Sequence, residues 1–403
     1  MSYRFPYGKV KMKFYNDAVH GHIVLPDYVF YWVDTSEFQR LRRIKQLGAA
    51  SYVFEGATHT RFGHSIGVAY LANKMATTVK NMNEFYVSEE TVEDITVAGL
   101  LHDLGHGPFS HLFEDCMKTF VPEYSHEKMS CRVIDYMWCK YQILMQRYSK
   151  TRIQFIKSLI LGEVPPGYSD PWHYEIVSNP TTSIDVDKFD YFQRDTKYAN
   201  VHITYDPSRF FTNFRIIDKH IVYLAKEIFN IYELYHTRYV LFRMIYLHRA
   251  VTEVYTMIRE ILTSTDLSRY TNVEKFLQLT DDFLYTFDSE ILARLHRRDL
   301  YKVVWEGTDK PYLTESALFE FDPELEGNVT VVSKTANFTR KNNPVNSVLF
   351  CNSFCSTSYF TQKDANMLVM EKFEEVVIRV VSRRNHELTT QKVTAFMRER
   401  NLS

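Results

Sequence analysis

The chain has 403 residues, 45% apolar and 24% charged, which suits one large core or two to three domains and excludes a collagen-like, disordered or disulfide-stapled protein. Lysine plus arginine number 48 against 49 for aspartate plus glutamate, so a net charge of −1 offers no global field for nucleic acid or membrane, and any polyanion must be met locally. No apolar run approaches about 18 residues, the start MSYRFPYGKVKMKFY is unlike a secretory signal, and five scattered cysteines fit reduced thiols, so an intracellular protein without membrane association is expected.

Only 13 glycines and 12 prolines interrupt the chain, so long helices are expected to dominate. In chain order, helical spacing predicts helices over 64–82, 91–103, 127–148, 151–161, 187–195, 225–264, 272–281 and 288–298. The segment 162–182, rich in proline, reads as a surface loop. From about residue 316 the strings FEFDP, NVTVVSK and NSVLFCNSF read as strands, followed by a helix over 367–383. The expected architecture is mainly α: a helical domain over 1–315 and a smaller α+β lobe over 316–403.

The densest chemical signal is LLHDLGHGPFSH, where an apolar helix ends in His102 and Asp103 and is stopped by Gly105, Gly107 and Pro108. Nitrogen and oxygen donors together suit a divalent ion such as Fe, Mn, Zn or Ni, with Mg open as well, and mixed ligation leaves positions for water and substrate. Adjacent helical side chains point about 100° apart, so other elements must complete the set. His64, after RFG, and Asp187, in IDVDKFDYFQRD, are the candidates, and two neutral imidazoles with two carboxylates balance a divalent charge. Helix capping or satisfied core polarity is the plainer reading of each residue alone, but four such groups rarely coincide.

The order His64, His102–Asp103, Asp187 resembles the HD-domain phosphohydrolases. The strings NDAVHGHI, DTSEFQRLRRIKQLGAASYVF, RFGHS, HDLGHGPFSH, YEIVSN and IDVDKFDYFQRD closely resemble the SAM and HD domain-containing deoxynucleoside triphosphate triphosphohydrolases. The likeness runs from about residue 12 to the end, without the SAM module, so the catalytic core alone is expected. It implies an HD-type helical core and hydrolysis of dNTPs to deoxynucleoside plus triphosphate, with further Mg accompanying the nucleotides.

Triphosphate binding needs cations besides the metal, and Arg61, Lys188 and Arg238 lie near the expected ligands. The resemblance implies that all three touch phosphates, that His111 protonates the departing 5'-oxygen, and that His106 and His126 line the phosphate site. Glu114 stands where the family carries aspartate beside that acid. By the same likeness Gln46, Leu47 and Tyr246 hold the 3'-hydroxyl and crowd the 2'-carbon, with Tyr191 and Asp195 as further sugar contacts; Phe242 and Met244 replace an expected histidine and arginine.

Asp34, Gln39 and Arg42 form a second constellation, since a carboxylate accepts from the guanine N1 and N2 edge while arginine donates to O6 and N7. A capped helix with a solvated basic face is an equal reading of those residues alone. The resemblance makes them a GTP activator site, with Lys13, Asn16 and Arg298 on phosphates. Arg215 and Lys226 fit an adjoining dNTP activator site that has lost two cations to Leu224 and Asn352, and a nucleotide-bridged dimer or tetramer is implied. Two other readings are an HD phosphodiesterase or nuclease, which neutral charge disfavours, and a nucleotide-sensing scaffold, against which retention of the ligand set counts. The GHSIG match to a serine-hydrolase elbow lacks the alternating βα context it requires. Cys351 and Cys355 read as packing residues rather than a redox switch.

Overall fold

A computed structural model of the chain describes residues 12–166, 168–310, 312–339, 342–352, 357–359 and 372–400. It opens on an antiparallel hairpin, β1 (Met12–Asp17) and β2 (Gly21–Pro26), turned at Gly21 with φ +69°, a conformation glycine adopts freely. Two short helices, α1 (Phe30–Val33) and α2 (Ser36–Gln39), lead to α3 (Arg61–Asn81) and α4 (Glu89–Leu101). Ser88 caps α4 by accepting from the Thr91 N–H, and every residue from Val92 to Leu101 is buried. A helix buried all round is a central one, and Gly99 lets α3 close on it: a Cβ there would lie 2.9 Å from the Ala72 Cβ.

Next come α5 (His111–Lys118), α6 (His126–Lys140), α7 (Gln142–Arg147), α8 (Lys150–Leu161) and α9 (Val186–Ala199). The single helix expected over 127–148 is two, because Tyr141 turns extended (φ −105°, ψ 109°) between α6 and α7. The serines before α6 and α8 and Asp185 before α9 each cap their helix through the side chain. Inside the loop expected over 162–182, Pro171–Glu175 form a 3-10 turn.

The helix expected over 225–264 is also broken. After the strands β3 (Phe214–Ile217) and β4 (His220–Leu224), which sequence periodicity missed, α10 (Ile228–Leu241) runs into a π turn over Phe242–Tyr246. There the Leu247 N–H bonds back five residues to the Phe242 carbonyl (2.8 Å), His248 is extended, and α11 (Arg249–Thr263) starts anew. Such π turns cluster at functional sites, and this one delivers Tyr246. The helix expected over 272–281 shrinks to α12 (Val273–Phe276); Asp281 opens a separate 3-10 turn, its carboxylate accepting from the backbone N–H groups of Lys45 and Phe109. Helix α13 (Glu290–His296) falls within 288–298 as expected.

The C-terminal part holds β5 (Lys302–Thr308), α14 (Glu315–Phe321), β6 (Val329–Asn337), β7 (Leu349–Cys351), β8 (Thr357–Tyr359), β9 (Glu374–Ser382) and α15 (His386–Glu399). One antiparallel sheet has the order β5-β9-β6; the other, β3-β4-β7-β8, joins β4 to β7 in parallel. Two expectations are corrected. FEFDP lies at the end of α14, which Thr314 caps, and not in a strand. The helix over 367–383 is strand β9 from Glu374; residues 367–371 and Cys355 lie outside the described residues. Central in its sheet, β9 is buried without a break from Val377 to Ser382, which erases the period-2 alternation that marks a half-exposed strand. The lobe has a core of its own, including Leu318, Ile378, Val380 and Phe396, and its edge strand starts at Lys302, upstream of the change in texture at 316. The overall class is mainly α with a smaller α+β lobe.

The turn after α4 packs hard on α6, since a Cβ on Gly105 would lie 2.0 Å from the His126 carbonyl oxygen and 2.4 Å from the Ser130 nitrogen. Backbone cannot yield there as a side chain would. Gly105→Ala is expected to cost about 3 kcal/mol, read as a lowered midpoint in chemical denaturation.

Candidate active site

Helices α4 and α9 both pack on α3, and that packing brings four remote side chains together. His64 lies in the first turn of α3, His102 and Asp103 just beyond α4, and Asp187 in the first turn of α9. His64 Nε2 is 3.1 Å from Asp187 Oδ1 and 3.4 Å from Asp103 Oδ2; His102 Nε2 is 3.6 Å from Asp187 Oδ1 and 3.3 Å from Asp103 Oδ1. Each ring is fixed through its other nitrogen: His64 Nδ1 donates to Asp190 (2.7 Å) and His102 Nδ1 to the Gly99 carbonyl (2.8 Å). Both Nε2 atoms are buried without a hydrogen-bond partner.

That arrangement suits a cation. Burial alone would lower the His64 pKa, but Asp187, Asp190 and Asp103 outweigh it and push it up to about 10. The cluster thus draws positive charge to the Nε2 position, and a divalent ion would replace the proton there, with the Nδ1 contacts setting tautomer and ring orientation. Asp187 and Asp103 are held well below the usual carboxylate range against the opposing effect of burial, Asp187 by His102 and His64 and Asp103 by Arg61 and His102.

The turn leaving α4 is strained. Phe109 and Ser110 both sit in the left-handed region, φ +60° and +59°, at about 1–3 kcal/mol each. They are held there by Phe109 N–H donating to Asp281 (2.7 Å), Ser110 Oγ to the Lys45 carbonyl (2.8 Å), and Arg61 Nε to Ser110 Oγ (2.9 Å). Buried Arg40 donates to the carbonyls of Leu279, Leu104 and His106, tying the same loop from beneath. The result gathers three imidazoles: the His106 and His126 rings stack at 4.0 Å, and His111 stands edge-on to both at 4.9 and 5.3 Å. Burial, Arg61 and His126 hold His106 well below the ordinary imidazole range, although its Nε2 lies 3.3 Å from Asp103 Oδ1. Glu114 does not hydrogen-bond His111, at 3.9 Å; its carboxylate takes His126 Nδ1 (2.5 Å) and Lys118 Nζ (2.5 Å) instead. The extra methylene of glutamate carries the carboxylate past His111 to the next ring.

A cavity of about 530 Å³ opens over these groups. Gln46, Leu47, Arg61, Lys188, Tyr191, Asp195, Arg238 and Tyr246 all line it, together with His102, Asp103, Asp187, His106, His111 and His126. Arg61 is bound to Asp103 (2.6 Å) and Lys188 to Asp185 (2.8 Å), while Arg238 donates to Asn337 on β6 (2.7 Å) and lies over the Phe242 ring at 4.4 Å. Tyr246 donates to Asp195 Oδ2 (2.7 Å), and Gln46 Oε1 is a buried acceptor without a partner. The Phe242 ring supports Arg238 and meets Tyr246 edge-on at 5.1 Å, and Met244 is exposed.

The second constellation is on the surface. Lys13 on β1 pairs with Asp34 at 2.9 Å and lies over Phe30, and Arg42 donates to Gln39 (2.7 Å) over the Phe62 ring. Asn16 meets His22 at 3.2 Å. Arg298 bonds the Tyr52 carbonyl (2.8 Å), Arg215 lies on β3 bonded to the Phe214 carbonyl, and Lys226 is exposed after β4; no described contact joins these three to Asp34. Sequence reasoning overlooked Asp190, Arg40 and His59. Asp190 follows Asp187 by three on α9, the spacing that places two side chains on one helix face, and could have been found; Arg40 and His59 act through contacts distant in sequence.

The HD domain is matched over residues 61–138. The chain is 35% identical over 423 residues to the deoxynucleoside triphosphate triphosphohydrolase SAMHD1 homolog of Dictyostelium discoideum, covering 97% of this chain and 82% of that protein. It is 32% identical to the deoxynucleoside triphosphate triphosphohydrolase SAMHD1 of Homo sapiens, covering 92% and 70%, and 37% identical over 295 residues to the putative HD domain-containing protein L394 of Acanthamoeba polyphaga mimivirus, covering 68% and 63%. No helix among the described residues is long and apolar enough to cross a membrane. With identity at this level across nearly its whole length, the chain belongs to the SAMHD1 family of deoxynucleoside triphosphate triphosphohydrolases.

Proposed function

We propose that this chain is a metal-dependent dNTP triphosphohydrolase that releases deoxynucleoside and intact triphosphate. The observation that carries this reading is the pair of bare, buried imidazole nitrogens facing two carboxylates at the floor of a cavity lined with cations. His64, His102, Asp103 and Asp187 would hold the ion; Fe, Mn and Zn suit such a nitrogen and oxygen set, while Mg, the remaining candidate, prefers oxygen ligands. When bound, a divalent ion supplies Lewis-acid polarisation of the phosphate and a more acidic water.

Arg61, Lys188 and Arg238 bind the phosphates, with Lys188 and Arg238 leaving Asp185 and Asn337 to do so. His106 and His126 contribute further N–H donors, with Glu114 fixing the His126 ring. His111, whose side chain is 69% exposed to the cavity, gives a proton to the 5'-oxygen as its bond to the α-phosphorus breaks. One water is consumed: its oxygen stays on the triphosphate and one proton ends on the nucleoside. Gln46 Oε1 accepts from the sugar 3'-hydroxyl, and Leu47, Tyr191, Asp195 and Tyr246 form the wall against a 2'-hydroxyl, which would meet bulk and an already bonded pair.

The Asp34, Gln39 and Arg42 patch, with Lys13, Asn16 and Arg298, is read as a guanine-nucleotide activator site, and Arg215 with Lys226 as a weaker deoxynucleotide site beside it, bridging copies of the chain into a dimer or tetramer. Asp34 is exposed and paired only through Lys13 among its described contacts, so a guanine edge can take its carboxylate without breaking the core.

Three outcomes are expected. Incubation with each dNTP and a divalent metal yields inorganic triphosphate on anion-exchange chromatography; monophosphate, or no turnover, rejects the reading. His102→Ala and Asp187→Ala each lose metal by elemental analysis and at least about 10³-fold in kcat, and activity persisting in either shows the ligand set to be wrong. Asp34→Ala abolishes stimulation by GTP while leaving metal content unchanged; undiminished stimulation removes the activator assignment.

A further inference from the structure

His59 does not line the cavity, but it bonds two residues that do. Its side chain is 3% exposed, and its ring stacks on Tyr198 at 4.6 Å and 24°. Nε2 donates to Asp195 Oδ1 at 2.8 Å, and the other oxygen of that carboxylate accepts from Tyr246 at 2.7 Å. The His59 backbone carbonyl accepts the Gln46 N–H at 2.9 Å, next to the bridge between Lys45 and Thr60. Two residues of the cavity lining, Gln46 and Tyr246, thus hang on one buried residue that lies outside that lining.

We infer that His59 is the positioning residue of the sugar wall, setting the enzyme's discrimination between deoxyribose and ribose; this rests on the dNTP reading above. Tyr246 ends a π turn and is followed by two non-helical residues, so the local backbone does not fix the phenol by regular helix geometry. The carboxylate of Asp195 fixes it, and that carboxylate is itself oriented only as well as His59 holds it. A buried carboxylate that loses one of two donors rotates or draws in water, and the phenol moves with it. A wall displaced by even part of an ångström no longer clashes with an added hydroxyl, and the preference narrows.

The test uses the full chain with divalent metal and GTP, comparing kcat/KM for dATP and ATP in wild type, His59→Phe and His59→Gln. Phenylalanine keeps the stacking on Tyr198 and removes the donor; glutamine keeps an N–H donor. The dATP preference is expected to narrow about tenfold in H59F, mainly through a higher kcat/KM for ATP as the clash with its 2'-hydroxyl is relieved, and to return most of the way in H59Q, with metal content constant across all three. A wild-type preference retained in H59F overturns the role, and so does an equal loss in both variants, which packing alone would explain. Should H59F fail to fold, His59→Leu, which also removes the donor, combined with Tyr246→Phe in a double-mutant cycle decides: non-additive effects on the preference support the coupling through Asp195, and additive ones overturn it. Wild type that releases no triphosphate from any dNTP rejects the enzymatic reading itself, a result distinct from any of these.

Discussion

The site depends on an electrostatic demand at the meeting of three helices. Two imidazoles, each with its Nδ1 already spent, present bare Nε2 atoms to a pair of carboxylates inside a buried space. The four side chains come from segments remote in sequence, so only the packing of α4 and α9 on α3 brings them into reach. Behind them stands a second rank, with Asp190 held by Arg194 and His20 while it orients His64. Gly67 makes room for it, since a Cβ there would collide with the Asp190 carboxylate at 1.9 Å. Core packing and ligand geometry are one problem in this region.

The same economy links the histidine-bearing loop after α4 to distant parts of the chain. The strained Phe109–Ser110 turn is held by Asp281, Lys45 and Arg61, and the loop below it by Arg40, so His106 and His111 owe their placement to residues on other elements. The C-terminal lobe takes part as well. Asn337 on β6 holds Arg238, and Lys334 on the same strand reaches Asp115 of α5 and Tyr255 of α11. A lobe with its own core thereby forms part of the cavity wall, and its docking bears on where Arg238 and Lys334 sit.

Much of the site was legible because its residues sit at helix ends, where composition changes abruptly: His102 and Asp103 at the apolar-to-glycine boundary, Asp187 after a capping aspartate, His64 one turn into α3. What periodicity could not show was how long patterns break. The 225–264 pattern continues on paper through Phe242–Tyr246, but the π turn that aims Tyr246 leaves no mark in hydrophobic spacing. Strand β9 looked helical because burial on both faces removes alternation, and β3 and β4 are too short to announce themselves. Glu114 shows the limit at the level of one side chain: its reach, to His126 rather than His111, is decided in three dimensions.

The most direct test of the account is X-ray absorption spectroscopy at the metal edge of the purified protein, compared with His102→Ala. The account predicts scattering from two imidazoles together with oxygen donors and no sulfur, with one imidazole lost or the metal gone in the variant. A spectrum lacking imidazole scattering, or one left unchanged by the substitution, would contradict it.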